Sequence, residues 1–342
     1  MSSTPLSRKR IFMTCLQGCV PVWKLYRPVP VKSPRIGANF LQGNVDGTGL
    51  MKSNIWIWVL VAASLALVAV ILFVPPSISG ELEFSDDEET LARGEYLVSA
   101  GGCISCHRGV ENGESFSGGL GLESDFGTFY VPNITPDATT GIGGWSAGEF
   151  ARAMRHGRSP TGGFYFPSFP YRSYAGLTDE DVVAMGSWLM TLEPVRFEAP
   201  AHEVPWWLIR PAMGGWNLLA GFFRPPAEES GDELVERGAY LARNLGHCGE
   251  CHTPRNSLGI PIGNREFAGA ELGEDTVEAI DAAALEEWTF DNFDLFLLIG
   301  LKPDGEFVGG DMNEVIEFNT SRLSDEDRDA LAAFFTRHRQ ED

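Results

Sequence analysis

GGCISCHRG at residues 101–109 decides the fold, together with its counterpart LGHCGECHTP at residues 245–254. Each stretch holds two cysteines three positions apart, and a histidine follows the second cysteine directly. Residues i, i+3 and i+4 lie on one face of a helix. Each stretch therefore predicts a short helical turn that presents two thiols and an imidazole on the same side.

Three kinds of site use such a pattern. A redox dithiol needs one pair of cysteines, and a zinc module places its two pairs about 15–20 residues apart. Here the pairs lie 145 residues apart and each is followed by histidine, as in c-type haem attachment. We therefore expect two covalently bound haem c groups. The expected attachment cysteines and axial histidines are Cys103, Cys106 and His107, and Cys248, Cys251 and His252.

Both motifs belong to an internal repeat. RGEYL at 93–97 is matched by RGAYL at 237–241, and LTDEDV at 177–182 is matched by LSDEDR at 323–328. Apolar residues at helical spacing follow the second pair of segments. Each repeat is thus predicted to begin with a helix that leads into its cysteine pair and to end with a helix.

Capping boxes mark three of the predicted helix starts. They pair Ser146 with Glu149, Thr178 with Asp181, and Ser324 with Asp327.

A second iron ligand is expected on the far face of a haem, commonly a methionine. Met312 in GEFVGGDMNEV is the candidate for the second haem, in a glycine-rich loop, with a packed core methionine as the alternative. The first repeat has Phe169 at this position, and phenylalanine cannot bind iron. We expect a vacant or weakly held site there, with His156 and then Met154 as the next candidates. The loops align at a constant offset of 143: Pro160 with Pro303, Gly162 with Gly305, Phe164 with Phe307, and Phe169 with Met312.

VPNITPDATTGIGGW at residues 131–145 is a proline-rich loop. A backbone carbonyl is a natural acceptor for the second ring nitrogen of an iron-bound histidine. We expect Pro132 to supply this carbonyl to His107; the alternative is an ordinary surface turn.

Ile55–Val74 is a run of 20 residues without charge or proline. As a helix it would span a bilayer core of about 30 Å, and Pro75 and Pro76 would end it. A buried core helix is one alternative. Another is a cleaved signal peptide, whose apolar region is usually only about 7–15 residues, although residues 77–79 resemble a cleavage site. We expect a retained anchor and a start at Met51.

Charge is unevenly distributed along the chain. The 342 residues hold 26 basic and 47 acidic side chains, a net charge of −21, but residues 1–50 hold seven bases and one acid. This asymmetry predicts a cytoplasmic N-terminus and haem domains in the periplasm, in a single-pass inner-membrane protein. The acidic remainder excludes nucleic acid as a partner and favours a redox protein with a basic face.

Residues 200–226 are rich in aromatic side chains, including Trp206, Trp207, Trp216, Phe222 and Phe223. We expect a strap packed across two domains; the alternative is a second contact with the membrane surface.

Seven motifs between residues 81 and 342 occur together in one family: GGCISCH, FYVPNITPD, GIGGWS, RHGRSPTGG, FPSFPYRSYAGLTDEDV, LGHCGECHTPRN and GDMNEV. In these motifs the chain resembles membrane-anchored dihaem c-type cytochromes related to the cytochrome subunits of periplasmic alcohol and aldehyde dehydrogenases. Similar proteins often have methionine where Phe169 or Leu177 stands here. The resemblance implies electron transfer between a periplasmic dehydrogenase or carrier and the respiratory chain.

The predicted fold is all-α, with two tandem class I cytochrome c domains behind one N-terminal transmembrane helix. Five segments are expected: a basic, disordered extension (1–50), the anchor (51–80), cytochrome c domain 1 (81–199), the linker (200–226) and cytochrome c domain 2 (227–342). A start of translation at Met51 would leave out the extension.

Electron transfer is the leading function, and it requires no catalytic side chain. The alternative is a haem enzyme, peroxidase-like or oxidising a sulfur compound, that uses an open first haem. A structural haem subunit of a respiratory complex is the third.

Overall fold

The computed structural model of the chain describes residues 47–73, 80–110, 116–221, 227–273 and 275–337. Its contacts define two compact units, Met1–Val59 and Leu60–Asp342. Some predicted features lie outside the described residues: the extension up to residue 46, Pro75 and Pro76, the cleavage-like residues 77–79, and Phe222 and Phe223. The segment boundaries within residues 81–342 stay predictions.

Helix α1 is Gly47–Phe73 and begins four residues before Met51. Its side chains are described for residues 55–70, where all are solvent-exposed and all but Ser64 are apolar. In the part of the chain that the structure describes, none of the helices combines the length and the apolar character that crossing a membrane requires.

The rest of the described chain is mostly helical, as predicted. The first repeat contains α2 (Glu88–Ala100), α3 (Cys103–His107), α4 (Ala147–His156), α5 (Tyr171–Tyr174) and α6 (Asp179–Leu189). The linker contains α7 (Ala212–Gly221). The second repeat contains α8 (Glu233–Tyr240), α9 (Gly249–His252), α10 (Phe290–Ile299), α11 (Asp311–Phe318) and α12 (Asp325–Thr336).

Short irregular elements connect these helices. Leu241–Leu245 continues α8 as a π-helical turn, and Gly263–Arg265 and Thr320–Arg322 are 3₁₀ turns. Two antiparallel hairpins pair β1 (Gly121–Leu122) with β2 (Phe129–Tyr130), and β3 (Ala270–Leu272) with β4 (Asp275–Val277).

The first and last helices of each repeat cross at a glycine. Helix α2 packs against α6, and α8 packs against α12. A Cβ atom at Gly94 would overlap the carbonyl oxygen of Ala184, and one at Gly238 would overlap that of Ala330. The glycine of RGEYL and RGAYL therefore lets each pair of helices come into backbone contact.

Two isolated backbone bridges support the alignment of the repeats. Arg158 pairs with Phe164, and Leu301 pairs with Phe307. Both residues of the second bridge lie 143 positions after those of the first, which is the offset read from the sequence. The loop geometry is thus shared by the repeats over residues 158–164 and 301–307.

The two repeats exchange hydrogen bonds through one tyrosine each. Tyr96 on α2 donates to Asp327 on α12 of the other repeat at 2.6 Å, and Tyr240 on α8 donates to Asp181 on α6. The tyrosines share one position of RGEYL and RGAYL, and the aspartates share one position of LTDEDV and LSDEDR. We call this arrangement the tyrosine exchange.

An arginine of the same repeat also holds each aspartate. Arg93 Nε donates to Asp181 at 2.8 Å, and Arg237 donates to Asp327 through Nε and Nη2, both at 2.7 Å. Both carboxylates are buried. The tyrosine exchange therefore centres on four charges that pair within the repeats, and on two hydroxyls that connect them.

These contacts correct two predicted capping boxes. Thr178 and Ser324 accept the expected hydrogen bonds from the backbone of the third helical residue. The carboxylates of Asp181 and Asp327 instead bind arginine and tyrosine, so the reciprocal half of each box was wrongly predicted. The capping box that begins with Ser146 is complete, because the Glu149 carboxylate accepts a hydrogen bond from the Ser146 backbone N–H.

One face of the linker packs across both repeats, as predicted, and the other face is exposed. Met213 of α7 is buried in a small apolar cluster with side chains of the first repeat, and Trp216 Nε1 donates to the Leu258 carbonyl oxygen at 2.8 Å. The prediction was wrong for Trp206 and Trp207, which are 89% and 54% exposed.

Candidate functional site

The first Cys-x-x-Cys-His motif forms the short helix α3. Gly102 precedes it with φ 64°, a left-handed conformation that suits glycine. Cys103 packs against the apolar core, whereas Cys106 is exposed. Burial raises the pKa of the Cys103 thiol to about 12.

His107 ends this helix and is oriented by the proline-rich loop. Its Nδ1–H donates to the Pro132 carbonyl oxygen at 2.9 Å, the contact that the predicted pair requires. Burial lowers the pKa of His107 to about 4, although this hydrogen bond acts in the opposite direction. The ring is therefore neutral near pH 7, and because Nδ1 carries the proton, Nε2 keeps a free lone pair for a metal.

The second motif repeats this geometry with one change. The Nδ1–H of His252 donates to the Glu278 carbonyl oxygen at 2.7 Å, and burial lowers the pKa of His252 as well. Cys248 packs against the core, and burial raises its pKa to about 12. Sequence reasoning missed Glu278 because no proline marks it. The spacing could have found it, since Pro132 follows His107 by 25 residues and Glu278 follows His252 by 26.

Each Cys-x-x-Cys-His motif lies against a helix of the other repeat. Helix α11 contacts α3, where Arg108 and Glu314 form an ion pair at 3.4 Å. Helix α5 contacts the π-helical turn before the second motif, and Ser173 Oγ donates to Glu250 at 2.7 Å. The two motifs are therefore held together by reciprocal contacts.

Two further observations bring the motifs close to each other. The rings of Tyr174 and His247 meet edge to face, with centroids 5.6 Å apart. Burial raises the pKa of Cys251, and the charge of Glu250, which Ser173 of the first repeat contacts, raises it further. Groups bound at the two motifs therefore occupy neighbouring sites in one compact unit.

Met312 lies in the first turn of α11 and is half-buried. Its expected place in a glycine-rich loop was wrong, because Gly310, with φ 63°, ends the loop and forms the N-cap of the helix. Helix α11 packs against α3 of the first motif, and the charge of Asp311 acts to raise the pKa of Cys251 in the second motif. The ligand role of Met312 stays a prediction.

Phe169 lies in an aromatic cluster rather than in an open channel. Its ring contacts those of Tyr165, Tyr171 and Tyr174 at centroid distances of 6.0, 6.3 and 5.7 Å. Met154 is buried in the core, and Leu177 is buried in the same core. His156 is the last residue of α4 and is partly exposed.

The residues of both motifs fit a covalently attached haem. Each motif offers two free thiols on one helical face, a neutral imidazole fixed by a backbone carbonyl, and an apolar surface beside the first cysteine. The same set recurs at equivalent positions of the repeat. A pair of such groups a short distance apart can move electrons one at a time.

No family model matches the chain. A diheme cytochrome c-type protein of Cereibacter sphaeroides is 44% identical over 255 residues, which cover 72% of the chain and 85% of that protein. The chain belongs to the dihaem c-type cytochromes. This cytochrome is also 35% identical over 278 residues to the gluconate 2-dehydrogenase cytochrome c subunit of Pantoea cypripedii. It is 34% identical over 262 residues to the cytochrome c subunit of the quinone alcohol dehydrogenase of Gluconobacter oxydans.

Coverage differs between these relatives. The matched residues are 75% and 72% of this cytochrome but only 62% and 54% of the two dehydrogenase subunits. The family confirms the predicted cofactors, two covalently bound haem c groups, and the predicted activity, electron transfer. The alternative haem-enzyme function finds no support in these relatives.

Proposed function

We propose that this cytochrome accepts electrons from a periplasmic dehydrogenase or a small redox carrier and passes them toward the respiratory chain. The arrangement of the two motifs carries the proposal: reciprocal contacts hold them at neighbouring sites, so that an electron entering at one haem can leave at the other. The relatives named as dehydrogenase cytochrome subunits favour a dehydrogenase as the donor.

Membranes from cells with and without the gene test this role. Oxygen uptake driven by a periplasmic substrate such as gluconate, fructose or ethanol should be lost for at least one substrate, while uptake driven by NADH should continue. Restoration by the intact gene, but not by a Cys103→Ser/Cys106→Ser variant, ties the loss to the first haem. Unchanged uptake with every substrate contradicts the role.

The ligand assignments form the second part of the proposal. Cys103, Cys106 and His107 hold the first haem, with Pro132 orienting the histidine. Cys248, Cys251 and His252 hold the second, with Glu278 orienting the histidine and Met312 on the far face. When bound, each haem supplies a one-electron carrier; the protein supplies the attachment, the neutral imidazoles and the apolar surroundings. The haems belong to two tandem class I cytochrome c domains, 81–199 and 227–342.

Mass spectrometry and gas binding test these assignments. A Cys248→Ser/Cys251→Ser variant should retain one haem of two by mass. Met312→Ala should let the second haem bind carbon monoxide in the reduced state, because its far face loses a ligand. Met190→Ala, a half-buried methionine at the end of α6, serves as the matched control and should leave gas binding unchanged. A Met312→Ala chain that behaves like this control contradicts the ligand role.

The far face of the first haem is proposed to be vacant or weakly held. Two observations support this: Met154 packs in the core, and Phe169, which cannot bind iron, packs among tyrosines. The unaltered reduced protein should therefore bind carbon monoxide at about one haem of two. Two irons that ignore the gas, one of which opens in a His156→Ala or Met154→Ala variant, contradict a vacant site.

The apolar run Ile55–Val74, which extends past the described end of α1, is proposed to anchor the chain in the inner membrane as a single span, with residues 80–342 in the periplasm. The exposed apolar side chains of residues 55–70 and the basic residues before them support this placement. N-terminal mass spectrometry of membrane-extracted protein tests it. A chain that begins near Met51 supports the anchor, whereas a soluble chain that begins near Gly80 contradicts it.

The redox partner is proposed to present a basic face. Residues 51–342 hold 19 basic and 46 acidic side chains, and such a field attracts a basic partner over distances that salt shortens. The rate of electron transfer to a basic soluble cytochrome should fall as salt is raised from a low concentration. A rate that does not fall indicates that the acidic surface serves another purpose.

A further inference from the structure

The linker carries a group of exposed apolar side chains that the electron-transfer role does not use. We call it the tryptophan patch, and its members and exposures are Trp206 (89%), Trp207 (54%), Ile209 (53%), Leu218 (50%) and Leu219 (52%). Single exposed apolar residues are common, but five large ones lie here within fourteen residues of sequence, and such a concentration favours an interaction surface.

The patch lies on a folded segment. On the inner side of α7, Met213 and Ala220 are buried, and Trp216 is hydrogen-bonded to the second repeat. Arg210 Nη1 donates to the Phe164 carbonyl oxygen at 2.8 Å and fixes the start of the segment to the first repeat. The outward side chains are therefore presented by an element that is packed on both repeats.

Charge identifies the occupant. Residues 204–227 contain two arginines and no aspartate or glutamate, in a chain with 47 acidic residues. A basic redox partner would be attracted to carboxylates, which this segment lacks. An anionic lipid surface repels carboxylates and attracts arginine, and tryptophan favours the boundary between headgroups and acyl chains.

We propose that the tryptophan patch rests on the membrane surface, with the indoles of Trp206 and Trp207 at the level of the lipid headgroups. The haem unit then meets the membrane through a second contact besides any contact made by α1. This contact is interfacial, because the segment is short and α7 has only ten residues. The proposal does not depend on the anchor proposed for α1, since the patch lies in a different part of the chain.

Lipid photolabelling tests the contact. The full chain is reconstituted into bilayers of phosphatidylcholine and phosphatidylglycerol that contain a phospholipid with a diazirine on its acyl chain, and the labelled peptides are mapped by mass spectrometry. We expect label on the peptide that contains Trp206 and Trp207, and more label as the phosphatidylglycerol content rises. The peptide around Phe307, which is 67% exposed but lies outside the patch, is the internal control.

A Trp206→Ser/Trp207→Ser variant completes the design. Both side chains are exposed, so the fold should survive, and a Phe307→Ser variant controls for the loss of an exposed aromatic ring. Label on the patch should fall to the level of the Phe307 peptide in the double variant and should not change in the control variant. Patch label equal to that of the Phe307 peptide in the unaltered chain overturns the proposal.

The remaining outcomes are also decisive. A patch that is shielded from a water-soluble label in native membranes, but that takes no lipid label, has a protein as its occupant, which overturns the proposal. Label on α1 reports the anchor separately. Label on the patch without label on α1 supports this contact and contradicts the anchor, whereas label on α1 alone does the reverse.

Discussion

Removing the hydroxyl of Tyr96 tests whether the tyrosine exchange holds the repeats together. In a Tyr96→Phe variant the ring remains, and Asp327 keeps both hydrogen bonds from Arg237 but loses the one at 2.6 Å from the other repeat. A hydrogen bond to a charged group contributes about 1.5–3 kcal/mol to stability. Tyr96 is only half-buried, so we expect a loss near the lower limit, about 1.5 kcal/mol.

The second tyrosine adds information that one variant cannot give. The Arg237 guanidinium, which binds Asp327, also lies over the Tyr240 ring at 5.3 Å from its centroid, so the two halves of the exchange lie near each other. Neighbouring sites that share partners couple by about 0.5–3 kcal/mol. We expect each hydroxyl to compensate in part for the loss of the other. The Tyr96→Phe/Tyr240→Phe chain should therefore lose at least about 0.5 kcal/mol more than the sum of the single losses.

Urea unfolding of the detergent-solubilised chain, followed by far-ultraviolet circular dichroism, measures these losses. Tyr130→Phe is the matched control, because the Tyr130 hydroxyl donates to Glu203 at 2.9 Å at the surface, where such bonds contribute little. Its unfolding free energy should not change measurably. Equal losses in Tyr96→Phe and Tyr130→Phe, or a double variant that is strictly additive, would refute the view that the exchange joins the repeats.

Three further expectations concern stability. Gly94→Ala should lower the free energy of unfolding by about 1–3 kcal/mol through overpacking against α6. Gly148→Ala, on an open helix surface, should raise it by up to about 1 kcal/mol. Thermal melting compares the two variants, and equal effects contradict the close contact of α2 with α6 at Gly94. Burial acts to raise the pKa of Asp327, but hydrogen bonds from Arg237 and Tyr96 outweigh burial and lower it. The contribution of Asp327 to the free energy of unfolding is therefore present above about pH 3.9 and is lost as pH falls through the folded pKa. An Asp327→Asn variant should lack this loss of stability in acid titration, and a loss identical to that of the unaltered chain contradicts the expectation. Asn133→Ala should cost about 1–3 kcal/mol in urea unfolding, because its buried amide donates to Val195 at 2.7 Å and fixes the loop before α4; no measurable cost would mean that the loop is held elsewhere.

The helices that carry the site could be predicted because their signals are local. The Cys-x-x-Cys-His spacing matches one helical turn, and Ser146 forms its complete capping box within four residues. The contact between His107 and Pro132 could also be predicted, because a backbone carbonyl is a natural acceptor for an iron-bound histidine and the proline-rich loop is only 25 residues further along the chain. Met312 could not be placed, because the glycines before it fit a loop as well as a helix start.

Long-range pairings left no such local signal. Tyr96 and Asp327 lie 231 residues apart, and the repeat indicates that each has an equivalent but not that the partners cross between repeats. For the same reason, the side chain of Asp181 was assigned to its own helix start when it serves Arg93 and Tyr240. Burial in a joint core decided these contacts, and burial depends on how the repeats pack.

The tyrosine exchange pairs the two repeats of one polypeptide in the way that a two-fold interface pairs the subunits of a dimer. In such an interface, a residue of one copy contacts a second residue of its partner, and the same two positions meet again with the roles reversed. Each repeat carries both the tyrosine that gives and the aspartate that receives. Each repeat thus supplies both halves of the contact, which is the pattern expected of an ancestral one-haem homodimer whose two copies were later joined by gene duplication.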